Sequence, residues 1–283
     1  MIAPDMVDFL GIGVQKGGTT WLFHQLSKHP QICFPKGKEL HFWNNDGASR
    51  GDEWVKMLTP QQPATADGRP IRTGEITPAY ALLPLETIVA LRKQCPDLRL
   101  FISLRNPLER AWSAAVMGLS RAEMFAHEAS DAWFIDHFHS SASRERGDYA
   151  GCIERWRKVF PIDQLLVLIH DEIATAPVAL LKRLAEHLRI DGADVATLPS
   201  EDLARVVVPT ISGVHPIYAA QQGLPLRPSL REPLLRLYGP QIDKLQALLD
   251  RDLSRWKDGS GCVRDTRVRE RHQVSGDQLR TGG

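Results

Sequence analysis

The chain of 283 residues has only four cysteines (Cys33, Cys95, Cys152 and Cys262), and none stands in a Cys-x-x-Cys pair. Their scatter excludes a metal knuckle, and the thiols are expected to be reduced, as in a cytoplasmic protein. No apolar run is long enough to cross a bilayer, so no membrane span is expected. Residues 1–8 lack the basic start, apolar stretch and small-residue cleavage site of a secretory leader. Net charge is missing too: 35 Lys and Arg against 34 Asp and Glu leave +1. A nucleic-acid partner gripped through a broad basic face is thereby excluded, and any anion site must be local. What is there is a globular composition, 43% hydrophobic and 24% charged. It suits one large α/β domain over residues 1–256. Residues 257–283 are Gly- and Arg-rich with few apolar side chains, and are expected to be a disordered tail. Arg264, Arg267, Arg269 and Arg271 belong to that tail rather than to a nucleic-acid arm.

Strands alternate with helices. Residues 9–14 form a short apolar run fit for a buried parallel strand, followed by a Gly-Gly break and a helix ending near Pro30. Thr19 or Thr20 is expected to cap that helix. A helix over 85–93 leads into a second strand at 98–104, with Pro107 opening the next helix. Residues 149–159 read as helix, 164–169 as a third strand, and 178–188 as an amphipathic helix. The last helix is expected over 232–256, after a proline-rich loop at 205–230. Residues 120–148, rich in aromatics, His and Ser, read as an irregular cover. The pattern predicts a layered α/β fold with a central parallel sheet.

Gln15-Lys16-Gly17-Gly18-Thr19-Thr20 lies between the first strand and its helix. Glycines there let backbone N–H groups approach a phosphate, and a helix N-terminus favours its charge. The segment has the outline of an ATP-binding P-loop, but Gly18 is followed directly by Thr19, without the Walker lysine. Lys16 instead sits inside the loop, suited to an oxygen bridging a 5′-phosphate and its leaving partner. A P-loop nucleotide kinase or NTPase would need that missing lysine and an acidic strand end for magnesium. A non-catalytic nucleotide-binding module would need only the loop.

Further segments agree with the loop. Arg105-Asn106-Pro107 ends the second strand, with Ser113 eight residues after Arg105. Lys38-Glu39-Leu40-His41-Phe42-Trp43, Glu75-Ile76-Thr77-Pro78-Ala79-Tyr80, and Gly147-Asp148-Tyr149 with Ile153-Glu154-Arg155-Trp156 complete the set. Together these motifs resemble those of the sulfotransferases that use 3′-phosphoadenosine 5′-phosphosulfate (PAPS). The branch they resemble holds the heparan sulfate N- and 3-O-sulfotransferases and their bacterial relatives, and the match covers about residues 9–190. The resemblance implies a P-loop-like three-layer fold, with PAPS as sulfuryl donor, 3′-phosphoadenosine 5′-phosphate (PAP) as product, and no metal. It implies a hydroxyl or amine of a carbohydrate or small molecule as acceptor. By the same resemblance, Gln15, Lys16, Gly17, Gly18, Thr19 and Thr20 hold the 5′-phosphosulfate, and Arg105 with Ser113 the 3′-phosphate. Ser212 and Gly213 are placed in the nucleotide-covering loop, with Arg227 or Arg231 as added cations.

The resemblance makes Glu39 the base for the acceptor proton. His41 is the rival, since a neutral imidazole would need little tuning. Lys16 would neutralise the leaving oxygen. In the heparan 3-O branch a second lysine follows the glutamate of the Glu-x-Thr-Pro segment, and here Ile76 stands there. Lys36 or Lys38 is the candidate replacement. Trp43, Trp54, Trp133, Phe134 and Phe138 suggest a partly apolar acceptor site. His127, His137 and His139 are read as solvated loop residues rather than a zinc site.

Overall fold

The computed structural model describes residues 7–45, 47–196, 203 and 216–258. Strand β1 (Phe9–Gly13) is buried at every position, as its unbroken apolar sequence requires of a strand covered on both faces. It pairs in parallel with two neighbours, β3 (Arg72–Ile76) and β4 (Arg99–Leu104). β2 (Ile32–Cys33) flanks β3 and β5 (Leu165–Ile169) flanks β4, giving a five-stranded sheet in the order β2-β3-β1-β4-β5. The chain fills one side of β1 before crossing to the other. The carboxyl end of β1 is therefore the switch point at which open parallel sheets hold ligands.

In chain order the helices are α1 (Thr19–Leu26), α2 (Gly51–Leu58), α3 (Leu85–Gln94), α4 (Pro107–Arg121), α5 (Asp131–His139), α6 (Ser141–Gly147) and α7 (Tyr149–Arg157). After β5 come α8 (Glu172–Thr175), α9 (Pro177–Leu188), α10 (Gly192–Ala196), α11 (Pro216–Ala220), α12 (Pro228–Leu249) and α13 (Arg255–Asp258). Alternate strand residues face opposite layers. Phe9, Ile76, Phe101 and Leu168 pack with Leu22 of α1 and Leu180, Leu184 and Leu188 of α9. Leu10, Ile12, Leu100, Ile102 and Leu104 pack with α3, α4, α7 and α12. The expected three-layer α/β arrangement is the one found. Among the described residues, no helix is long and apolar enough to cross a membrane.

The strands at 9–14, 98–104 and 164–169 and the helices at 85–93, 149–159 and 178–188 stand where the sequence placed them, within two residues at each end. β3 escaped that reading because Arg-Thr-Gly-Glu-Ile carries a single aliphatic side chain. Its Gly74 is required by contact: a Cβ there would lie 2.2 Å from the Phe9 carbonyl oxygen. Residues 120–148 are not irregular. The serines that suggested loop are helix caps, Ser130 accepting from the Trp133 amide and Ser140 from the Ser143 amide. The C-terminal helix also differs from its expected span. α12 starts earlier, with Pro228 in its first turn, and stops at Asp250, whose φ of 47° is left-handed. Trp256, in the separate turn α13, is buried and donates its indole N–H to Asp171 Oδ2 at 2.9 Å.

Candidate functional site

The loop between β1 and α1 is folded against the end of β4. The Val14 amide donates to the Ser103 carbonyl at 3.1 Å, and the Ser103 hydroxyl donates to the Gly17 carbonyl at 2.7 Å. Gly17 packs so closely that a Cβ would lie 2.3 Å from the Ser103 carbonyl oxygen. Gly18, at φ 84°, is itself the N-cap of α1; a Cβ there would meet Ile173 and His170 at 2.6 and 2.9 Å. The cap expected of Thr19 or Thr20 is not formed, because the helix begins at Thr19 and no side chain closes its first turn. The leading N–H groups of α1 are thus left to face an incoming anion. Gln15 and Thr20 are half-buried at the same mouth, and Thr19 is buried.

Lys16 adopts a left-handed φ of 70° in this loop. Burial above all, then the charges of Arg105 and Arg121 and, least, of Lys38, together pull its ammonium down to about 8, with Glu39 acting in the opposite direction. Five groups from four chain segments therefore share one electrostatic neighbourhood. Lys16 Nζ donates to the Tyr218 hydroxyl and lies 4.8 Å from the centre of that ring.

Arg105 directly follows β4, with its guanidinium half-buried. Its Nε and Nη2 donate to Glu109 Oε2 at 3.1 and 3.0 Å. The next residue fixes the start of α4: Asn106 Oδ1 accepts from the Leu108 amide, and Asn106 Nδ2 donates to the Trp256 carbonyl, each at 3.0 Å. Ser113 is half-buried two turns along α4.

Glu39 and His41 lie on a strap whose shape a buried carboxylate dictates. Glu75 is fully buried on β3, and burial pushes its carboxyl up. It accepts from Trp54 Nε1 at 2.6 Å, Thr77 Oγ1 at 2.6 Å and Tyr80 Oη at 3.0 Å, and from the Leu40 amide of the strap. The Trp43 amide in turn donates to Tyr80 Oη at 3.3 Å, and the Glu39 amide to the Ile76 carbonyl at 3.0 Å. Glu39 and His41 both take left-handed backbone, at φ 63° and 56°. Glu39 pairs with Lys38, whereas His41 Nδ1 lies 3.2 Å from Asn44 Oδ1. Of the two base candidates, Glu39 is the one that acts on Lys16.

Several expectations change. Trp43, Trp54, Phe134 and Phe138 are core residues, because each fills space between helices and sheet; Trp133 is exposed. The four core aromatics are therefore not available to wall an acceptor site. Arg227 is held by Asp131 and the Ala126 and Ala129 carbonyls, and Arg231 by the Lys257 carbonyl, so both are engaged in tying helices together. Ile76 is fully buried, and Lys38, rather than exposed Lys36, is the lysine beside Glu39. His137 and His139 are on α5, His137 stacked on Trp133; no group of three metal-ligating side chains occurs among the described residues. Ser212 and Gly213 lie outside the described residues. Tyr218, Arg121 and Glu75 were not singled out by sequence as site residues. Only Glu75 carried a signal, as the head of its Thr-Pro segment.

Glu75→Ala should strand three buried donors and lower stability by about 3 kcal/mol or more in urea unfolding. Glu75→Gln keeps the volume and one acceptor oxygen, and the Thr77 and Tyr80 hydroxyls can turn to receive its amide. It should cost clearly less. Equal losses would show that the buried charge, not its acceptor oxygens, holds the strap.

With this geometry in place, the likeness to known proteins is specific. Residues 7–201 match the family described as "Sulfotransferase domain". The human heparan sulfate glucosamine 3-O-sulfotransferase 3B1 is 31% identical over 183 residues, which cover 62% of this chain and 44% of that protein. Human heparan sulfate glucosamine 3-O-sulfotransferase 6 is 31% identical over 188 residues, 62% of this chain and 50% of that protein. The chain thus spans about half the length of these relatives. A sulfotransferase crystal structure from Alicyclobacillus acidocaldarius superposes with a TM-score of 0.62 at 25% identity, covering 89% of this chain and 98% of that one. A match across more than half the chain, on a sheet and a loop of this construction, places the protein in the sulfotransferase domain family.

Proposed function

We propose that the chain transfers the sulfuryl group of PAPS to a hydroxyl or amine of an acceptor, by in-line displacement at the mouth of α1. The observation that carries this reading is the position of Lys16. It projects from within a glycine loop at the switch point, with Arg105 and Glu39 in electrostatic reach. The residues fit the donor. Gly17 and Gly18 open a cradle that a Cβ would fill, and the uncapped start of α1 favours a 5′-phosphate. Arg105 and Ser113 serve the 3′-phosphate, the fork of Arg105 exchanging Glu109 for phosphate oxygens.

The donor supplies a sulfur atom already bonded to a good leaving group. As an acceptor oxygen bonds to that sulfur, the bond from sulfur to the 5′-phosphate oxygen breaks. Lys16 offsets the charge gathering on the departing oxygen, and the Glu39 carboxylate takes the acceptor proton. The strap clamped by Glu75 holds that carboxylate in place. Lys38, paired with Glu39, is the lysine assigned to replace the cation missing at Ile76. The gathering of Lys16, Lys38, Arg105 and Arg121, together with the core placement of the aromatics, favours a carbohydrate acceptor over an apolar one.

Calorimetry with PAP and AMP tests the donor assignment. A charge-assisted 3′-phosphate contact is worth about 1.5–3 kcal/mol, so PAP should bind more than about tenfold tighter. Equal affinities would remove Arg105 and Ser113 from the site.

The charge on Lys16 gives a second check. Because its ammonium loses the proton at about 8 in the free protein, PAP affinity should fall as pH rises through that value. Lys16→Arg stays charged and should flatten the decline.

For the base, Glu39→Gln should leave PAP binding intact and lower kcat by roughly 10²–10⁴. His41→Ala should leave kcat near that of the unsubstituted protein. A dead but folded His41→Ala beside an active Glu39→Gln would exchange the two roles.

A further inference from the structure

Tyr218 enters none of the steps above, yet it holds the ammonium on which they depend. Its hydroxyl accepts from Lys16 Nζ, and its ring centre is 4.8 Å from the same atom. A lysine assigned above to a phosphate oxygen therefore already has a partner within the chain. The partner is a weak one. Burial pushes the Tyr218 phenol up, so it meets the ammonium as a neutral dipole and a π face.

The segment that carries Tyr218 is anchored just beyond it. Gln221 is buried, and its side-chain amide donates to Ser120 Oγ and to the Met124 carbonyl, both at 3.0 Å. Its carbonyl oxygen accepts from the Ala126 amide. Three residues on, the Leu224 carbonyl accepts from Trp112 Nε1 at 2.9 Å. These bonds fix α11 to α4 and to the turn after it. With the backbone held there, the half-buried Tyr218 ring can leave Lys16 by rotation of its own side chain.

We propose that Tyr218 is a latch on Lys16, a neutral stand-in that the 5′-phosphate of the donor must displace. It is a positioning residue: it holds the ammonium at the loop, and it lowers apparent nucleotide affinity by the fraction of molecules in which it is closed. The proposal rests on the assignment of Lys16 to the 5′-phosphate made above. It reaches further in stating that this tyrosine competes with the nucleotide rather than binding it.

The test measures dissociation constants of the full chain for PAP and for adenosine 3′-monophosphate, which lacks the 5′-phosphate. Tyr218→Phe removes the hydroxyl and keeps the ring; Tyr218→Ala removes both. PAP should bind tighter to Tyr218→Phe, and about tenfold tighter to Tyr218→Ala, than to the unsubstituted protein. Affinity for adenosine 3′-monophosphate should stay the same in all three. Weaker or unchanged PAP binding in Tyr218→Phe would overturn the latch and make the tyrosine a nucleotide contact or a bystander. An equal gain for both nucleotides would overturn it as well, since the change would not lie at Lys16. Failure of the unsubstituted protein to bind PAP would instead overturn the donor assignment, and the latch with it.

Discussion

The site depends on one close approach, where the loop after β1 lies against the last residues of β4. Val14 and Gly17 are bonded to the main chain and side chain of Ser103, and there is no room for a Cβ between Gly17 and that strand. Two consequences follow from this contact. It fixes the start of α1, whose free N–H groups favour an anion, and it brings Lys16 within electrostatic reach of Arg105, two residues beyond Ser103. Motifs separated by some ninety residues in sequence thus become one site because two parallel strands are neighbours.

A second constraint works from the far side of β1. Glu75 is a carboxylate placed where a strand would ordinarily bury an aliphatic side chain, and it is satisfied by donors from α2, the Thr-Pro turn and the strap. Such a group is costly to bury and more costly to leave half-satisfied, so it specifies one arrangement of its neighbours. That arrangement includes two left-handed residues on either side of Leu40, Glu39 and His41, which a free loop would seldom hold. Positional accuracy at Glu39 is thereby borrowed from a buried network rather than from its own solvent-facing contacts.

Much of this was legible in the sequence, for reasons that can be named. β1, β4 and β5 announced themselves because strands buried on both faces must be apolar throughout. The loop and the Arg105 segment announced themselves because their glycines and arginine stand at the spacing of motifs that the family shares. β3 was hidden, since its stability comes from pairing and from the Gly74–Phe9 approach rather than from apolar side chains. The serines at 130 and 140 suggested loop because the same hydroxyl that favours a turn also caps a helix. The aromatic residues misled most: Trp54 and Phe134 look like ligand-facing groups in a sequence and are spent on the core. Tyr218 and Arg121 could not have been found from spacing, because only the fold brings them to Lys16.

The bond from Asn106 to the Trp256 carbonyl joins residues 150 positions apart, beside the arginine that follows β4. During synthesis the loop after β1 and the Arg105 segment leave the ribosome long before that partner exists. Until then the end of β4 and the first turn of α4 lack their final cover, and Asp171 lacks the Trp256 indole. The surroundings of Arg105 therefore cannot be completed before residue 256 has been made. A message cut short upstream of codon 256 would yield a chain with all the recognisable motifs and an unfinished place to use them.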